Sequence, residues 1–202
     1  MDEAALIGAA QQGDLDSFNR LVLAYQDQVY NHAYWMMGET EPAEDAVQEA
    51  FISAYRNIHS FRGGSFRAWI LRIVSNVCYD EIRRRKRRPT TPLEPVDDLN
   101  EEMESPSWLA DPSESPEEAT QRQELNRAIQ KCLQDLPAEF LMVVVLVDID
   151  GVDYAEAALE IGKPIGTVKS RLARGRLRLR DCLQGFWELL PVKFRLVEES
   201  KP

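Results

Sequence analysis

The chain has no long hydrophobic run. Its longest strongly apolar stretch, Phe140–Val147, falls well short of the ~20 residues that cross a bilayer. The amino terminus, MDEAALIG, is acidic where a secretory signal begins basic. The expected location is the cytoplasm. Cysteine is scarce too: Cys78, Cys132 and Cys182 lie far apart, with no CxxC or Cys/His spacing of the kind zinc or a redox pair uses. Buried or indifferent thiols and no metal are expected. His32 and His59 are the only histidines, and both sit on helical stretches where a packed or surface role is the simpler reading. No GxxxxGK[ST], HExxH or GxSxG pattern occurs. The expectation is therefore no catalytic residue, no cofactor and no small-molecule substrate, and a protein that is not an enzyme.

What the chain does have is charge, unevenly placed. Residues 89–120 hold 10 acidic and no basic groups, which accounts for the whole net charge of −10. The flanks are nearly balanced and carry two basic clusters, Arg83–Arg88 and the stretch from Lys169 to Arg180. An overall acidic protein can still bind nucleic acid where its cations are segregated, because the local field decides.

The second cluster lies in Asp153–Asp181, which reads as two helices meeting at a tight corner. Asp153 and Glu156 are spaced as a capping box, Gly162 stands where a C-terminal glycine ends a helix, and Pro164 starts the next. At about 100° per residue, Val168, Leu172, Gly175, Leu179 and Leu183 share one stripe, while Ser170, Ala173, Arg174 and Leu177 lie opposite. Lys169, Arg171, Arg174, Arg176, Arg178 and Arg180 come with no acid among them from Pro164 to Arg180. A solvated face normally intersperses acids for i,i+4 pairing, so this pattern points to a helix-turn-helix with a DNA-facing second helix.

Upstream, residues 3–38 read as a short helix, a break at Gly13-Asp14, and a longer helix packed by Phe18, Leu21, Val22, Tyr25, Val29, Ala33 and Met36. A further helix follows Glu41-Pro42 to about Ile58, with Val47, Ala50, Phe51, Ala54, Tyr55 and Ile58 as its apolar stripe and Asp45, Gln48, Glu49 and Ser53 outside. The loop His59–Ser65 leads into a long helix from Phe66 to about Lys86, packed by Trp69, Ile70, Ile73, Val74, Val77 and Ile82. The acidic, proline-rich segment reads as a linker without a core, its Trp108-Leu109 pair being the one spot able to dock. The second domain opens near Pro116-Glu117 with a helix through Leu125, Ile129, Cys132, Leu133 and Leu136. FLMVVVLVDIDG is ambiguous locally, since valine favours strand; helix is preferred because a lone strand would lack a partner.

These residues together resemble a family. Asp45-Ala-Val-Gln-Glu-Ala-Phe51, Phe61-Arg-Gly, Trp69-Ile-Leu-Arg-Ile-Val-Ser-Asn76, a Pro/acid linker, Leu136-Pro137 and Gly166-Thr-Val-Lys-Ser-Arg-Leu-Ala-Arg174 are similar in order and spacing to the extracytoplasmic-function (ECF, group IV) sigma factors of bacterial RNA polymerase. The resemblance implies an all-α protein of two small helical domains joined by an acidic, Pro-rich flexible linker. Its parts would be a region 2-like domain (1–88), the linker (89–116), a region 4-like helix-turn-helix domain (117–183) and a carboxyl-terminal extension (184–202).

It also implies the sites. Asp45, Gln48, Glu49 and Ile52 would contact core polymerase at the clamp helices of the largest subunit. Phe61, Arg62, Gly63, Gly64, Ser65, Trp69, Arg72, Asn76, Arg83 and Arg84 would meet the melted minus-10 element, an unstacked base being held by an amide near aromatics. Thr167, Lys169, Ser170, Arg171, Ala173 and Arg174 would meet the minus-35 element, with Arg174 on guanine, Lys169 or Arg171 on phosphate, and Ala173 near a thymine methyl. The second domain would also meet the flap of the second-largest subunit. An anti-sigma factor is left open as a further partner.

Three departures from the family pattern stand out. Ala157 replaces a larger core side chain, and Gly175 replaces an alanine at a cost of up to ~1 kcal/mol in helix propensity. The extension after Leu183 is read as a cap on the second core, with a partner-binding segment as the alternative. The acidic linker could imitate RNA in the polymerase's basic channel, or be a solvated spacer. Two other functions remain open at this level: a stand-alone helix-turn-helix regulator, and a helical protein that sequesters a partner.

Overall fold

The computed structural model describes residues 2–87 and 116–190. The acidic linker with Trp108-Leu109, Arg88, and the end of the extension lie outside the described residues. Among those described there are helices and turns and no strand. The first set is α1 (Glu3–Gln11), α2 (Leu15–Met37), α3 (Thr40–Asn57), a 3-10 turn (Ile58–Ser60) and α4 (Phe66–Arg87). The second is α5 (Pro116–Gln134), α6 (Ala138–Val144) running into a π turn (Val145–Ile149), α7 (Tyr154–Ile161), α8 (Ile165–Leu183) and a 3-10 segment (Gln184–Leu189).

Helix ends follow local chemistry. The Asp14 side chain accepts from the Ser17 N–H and starts α2, and Gly38, at φ 84°, ends it with its N–H bonded to the Tyr34 carbonyl. α2, α3 and α4 pack on one another, with α1 laid along α2. The inward face of α3 is built from Ala43, Ala46, Ala50 and Ala54, each nearly or fully buried, while Tyr55 is 39% exposed. The buried stripe is thus rotated from the expected one toward the alanines, because small side chains let α2 and α4 approach closely.

α6 resolves the strand-or-helix ambiguity. Phe140 through Leu146 are all buried, since α6 packs on α8 and also on α4. A helix apolar all round needs cover all round, and here it has it. Gly175 also has its reason: a Cβ there would stand 2.7 Å from Val144 Cγ2. The small residue permits the close α6–α8 crossing.

One expectation about cysteine fails. Cys132 of α5 and Cys182 of α8 form a disulfide, two residues distant in sequence but adjacent where the helices cross. Cys78 is the buried thiol expected, its pKa pushed up to about 12 by burial. The 3-10 segment packs on α5 and α8, with Lys131 Nζ 5.8 Å from the centre of the Phe186 ring. No side chain of this 3-10 segment is buried and Trp187 is 55% exposed, so it lies on the surface of the second domain and not in its core.

Candidate nucleic-acid and polymerase interfaces

The corner between α7 and α8 is built as its residues suggest. Asp153 accepts from the N–H groups of Ala155 and Glu156, both at 2.8 Å, and Gly162 adopts φ 66°, ψ 37°. Val168, Leu172 and Gly175 are buried against the domain. Ser170, Ala173, Arg174 and Leu177 face outward.

The cations of α8 divide into two groups. Arg171 is half-buried and donates to Glu139 of α6 at 2.7 Å; Arg176 is paired with Asp148, which raises its pKa; Arg180 is paired with Asp181. Arg178 lies over the Phe140 ring. Arg171, Arg176 and Arg178 tie α8 to α6 and the π turn, whereas the Arg180 pair lies within α8; Arg171 is thus engaged within the domain rather than free for phosphate. Lys169 is exposed with its Nζ 5.8 Å from the Tyr154 ring centre, and Arg174 is exposed with no hydrogen bond or ion pair among the described residues. Thr167 is half-buried at the start of the helix. The outward set available to a DNA groove is Lys169, Ser170, Ala173 and Arg174.

On the first domain, Asp45, Gln48, Glu49 and Ile52 are all exposed along α3. With Arg56 and, across on α4, Val77, Glu81, Arg84 and Arg85, they line a shallow groove. Its far wall is braced: Glu81 bonds Arg85 at 3.0 Å and Arg84 at 2.7 Å, and Arg85 reaches Glu39 at 3.4 Å. Burial alone would raise the Glu81 carboxyl, but those two arginines hold it below its ordinary value.

Of the residues assigned to the melted strand, Phe61 to Asn76 gather at the loop end of the same domain, whereas Arg83 and Arg84 stand toward the opposite end of α4, with Arg84 in the groove just described. Gly63 and Gly64 have φ 94° and 93°, which only glycine adopts without strain. The loop is anchored by Gln11, whose amide donates to the carbonyls of Ile58 and Phe61 at 3.1 and 2.7 Å, and by Ser65 Oγ, which accepts from the Ala68 N–H. Phe61 is buried, packed edge-on against Phe66 and Trp69. It shapes the loop from below, while Trp69 is half-exposed and Arg62, Arg72 and Asn76 are exposed. Arg83 and Arg84 lie on the exposed end of α4, Arg83 over Tyr79.

Sequence reasoning missed a polar cluster between the two sets of helices. The His32 Nδ1–H of α2 donates to Asp150 Oδ2 at 2.6 Å, and Nε2 stands 2.9 Å from Ser75 Oγ of α4. The order Ser-His-Asp matches a hydrolase relay, yet His32 and Ser75 are 0% and 2% exposed. No substrate carbonyl can reach the hydroxyl in this arrangement, and the cluster is structural. Nearby, Glu160 of α7 is buried with both carboxyl oxygens unbonded. Burial, then Glu156 and Asp150, push its pKa up to about 8 against the pull of Arg67 and Arg72. The only sequence signal for this cluster was a histidine inside an apolar helix turn.

Comparison with known proteins fits this geometry. Residues 21–88 match the family model of Sigma-70 region 2, and residues 126–179 that of Sigma-70, region 4. The chain is 37% identical to the ECF RNA polymerase sigma factor SigW of Bacillus subtilis, covering 88% of this chain and 95% of that one. It is 36% identical to the ECF RNA polymerase sigma-E factor of Escherichia coli K12, covering 91% and 95%. With SigE of Mycolicibacterium smegmatis it shares 36% identity over 89% of this chain, but spans only 66% of that longer protein. Among solved structures, the sigma factor RpoE bound to the anti-sigma factor NepR, from Bartonella quintana, superposes with TM-score 0.61 at 25% identity over 84% of this chain and 98% of that one. CnrH in complex with the cytosolic domain of CnrY shares the fold, with TM-score 0.63 at 23% identity over 90% and 96%. The chain belongs to the ECF RNA polymerase sigma factors.

Proposed function

We propose that this protein binds core RNA polymerase and directs promoter-specific initiation, reading the minus-35 element with α8 and holding the melted minus-10 strand with the Phe61–Asn76 end of the first domain. It works in the cytoplasm as a recognition subunit without chemistry of its own. The observation that carries the reading is the division of labour among exposed side chains. Asp45, Gln48, Glu49 and Ile52 form an acidic and apolar face that suits docking on a protein. Lys169 and Arg174 project from the helix-turn-helix without acidic partners among the described residues, and Arg62 and Arg72 are exposed at the loop end of α4, away from the Asp45–Ile52 groove that Arg84 and Arg85 line. In this reading Arg174 bonds guanine bidentately and Lys169 meets phosphate. An anti-sigma factor is a natural further partner, since the Bartonella relative is bound to one.

The test is reconstitution with purified core polymerase and fork-junction DNA. The wild-type chain should associate stably with core and support promoter-specific transcripts. Asp45→Arg and Glu49→Arg should weaken core association at least tenfold while helix content is unchanged. Tight sequence-specific DNA binding by the free chain, with no core association, would instead establish a stand-alone regulator.

A further inference from the structure

α1 (Glu3–Gln11) ends before residue 21, where the match to region 2 begins, and none of its side chains is among those assigned to DNA or polymerase. It is nevertheless joined to the loop end of the first domain through both of its own ends. Leu6, Ile7 and Ala10 are buried where α1 packs on α2. The corner between the two helices is set by Gly13, at φ 94°, and by the Asp14 cap on the Ser17 N–H. That corner brings α1 against the 3-10 turn Ile58–Ser60.

Gln11, the last residue of α1, makes the closest connection. Its amide group has two hydrogens to give and two acceptors to receive them, the Ile58 carbonyl at 3.1 Å and the Phe61 carbonyl at 2.7 Å. The Ile58 carbonyl also accepts the Phe61 N–H at 3.1 Å. The amide therefore closes the turn from outside and holds the chain where it leaves for Arg62–Ser65. Among the described residues, Gln11 is the one side chain of another helix that hydrogen-bonds the backbone of 58–65. The other end of α1 reaches the aromatic floor of the same loop: the Tyr25 hydroxyl donates to the Glu3 carboxylate, and the Tyr25 ring lies 5.3 Å from that of Phe66. Phe66 packs in turn on Phe61 and Trp69, at 5.7 and 5.4 Å.

The loop needs such support. Arg62 to Ser65 are exposed, and Gly63 and Gly64 stand side by side at positive φ, so the backbone there is free to take many shapes. A loop that is ordered only on binding gives up that freedom at the expense of affinity. A side chain that holds the loop beforehand removes the loss.

We infer that Gln11 is a positioning residue for minus-10 recognition: without touching DNA, its amide sets the shape of the Ile58–Ser65 loop in which a base of the melted strand is captured. The inference rests on the promoter-recognition reading and extends base selection to α1, outside the residues that face the strand. Loss of the two donors should loosen the loop while Ile58 and Phe61 stay buried in the packing beneath it. Selection among bases should then suffer more than total affinity, because the exposed Arg62 and Arg72 attract phosphate whatever the sequence.

The test compares Gln11→Met, which keeps the length of the side chain and removes its donors, with Gln11→Lys, which keeps a donor of similar reach. In the free chain, exchange of the Phe61 amide read by NMR should quicken about fivefold in Gln11→Met, the equivalent of one hydrogen bond, with helix content unchanged. With core polymerase and fork-junction DNA, each unpaired base of the minus-10 strand is then replaced in turn. The preference of the wild type at the captured base should fall about tenfold in Gln11→Met, the size of one good base contact. Core affinity and minus-35 discrimination should not change, and Gln11→Lys should stay near wild type in both assays. A folded Gln11→Met chain that keeps its Phe61 protection and its base preference overturns the inference. So does one that weakens every sequence alike, as a general loss of stability would, or a Gln11→Lys chain no better than Gln11→Met. If Gln11→Met loses helix content, Gln11→Glu, of the same shape and without the donors, decides. A wild type that prefers no base at all would sink the promoter-recognition reading itself, whereas the Phe61 amide reports on the tether without DNA or polymerase.

Discussion

Gly175→Ala separates propensity from packing more sharply than any other substitution in this chain. Position 175 is an interior residue of α8 and is not among the positive-φ glycines, so propensity alone favours alanine by about 1 kcal/mol. The packing opposes it. An added Cβ would lie 2.7 Å from Val144 Cγ2 and 3.6 Å from both the Cβ and the carbonyl oxygen of Phe140. Carbon atoms prefer about 3.5–4.0 Å, so the first contact is too short by nearly 1 Å. Val144 is 2% exposed and β-branched, with essentially one comfortable rotamer in a helix. It cannot swing aside, and α6 and α8 must separate. Overpacking of this kind costs about 1–3 kcal/mol, leaving a net loss of about 1 kcal/mol and a fall in Tm of about 4–8 °C for a domain of this size. Thermal and urea unfolding followed by circular dichroism will read it. In a Val144→Ala background the obstacle is gone, and Gly175→Ala should be neutral or stabilising. The same effect in both backgrounds, or a higher Tm in the wild type, would refute the close-crossing argument.

Other perturbations test other parts of the structure. Glu160, with a folded pKa near 8 against an ordinary 4.5, keeps a proton that the unfolded chain releases. Its contribution is fully present below about pH 4.5 and lost as pH rises through about 8, on the order of a few kcal/mol. Glu160→Gln should flatten the fall in Tm across that window and be more stable than wild type at pH 8; parallel pH profiles would refute it. Reducing the Cys132–Cys182 disulfide, which spans a sequence separation of 50, should cost the second domain about 4 kcal/mol by loop entropy. Cys182→Ser should reproduce the reduced melting curve and no longer respond to reductant. Arg174→Ala should leave Tm unchanged, because the side chain is exposed without a partner among the described residues. It should relax discrimination at one minus-35 base pair by about 1–3 kcal/mol, whereas Lys169→Ala should weaken all sequences alike; equal losses on every sequence for Arg174→Ala would remove it as the base reader.

Much of this architecture was legible beforehand, for identifiable reasons. Helix ends could be read where one residue type satisfies a local need, as at Asp14, Gly38, Asp153 and Gly162. The outward face of α8 could be read because helical periodicity alone separates Val168 and Leu172 from Ser170 and Arg174. Periodicity was less help on α3, where alanines form the inward face and carry little hydrophobic signal. It gave no guide at all on α6, which is buried on every side.

The roles of individual cations were legible only in part. Six basic residues in a row look equivalent in the chain, but Arg171 is held by Glu139 and Arg176 by Asp148, both acids of the α6 and π-turn segment. Phe61 likewise looked available for base stacking and proved to be the floor of its loop.

By itself the sequence determined the helix-turn-helix, the exposed acidic face of α3 and the all-helical class, because caps, turns and amphipathic periods act over a few residues. Tertiary structure alone decided that Cys132 meets Cys182, that Gly175 gives way to Val144, and that His32 of α2 finds Asp150 of the second domain. Each of these depends on which helices cross and how closely. That choice is set by the summed burial of distant surfaces, which leaves no local mark on the residues that meet.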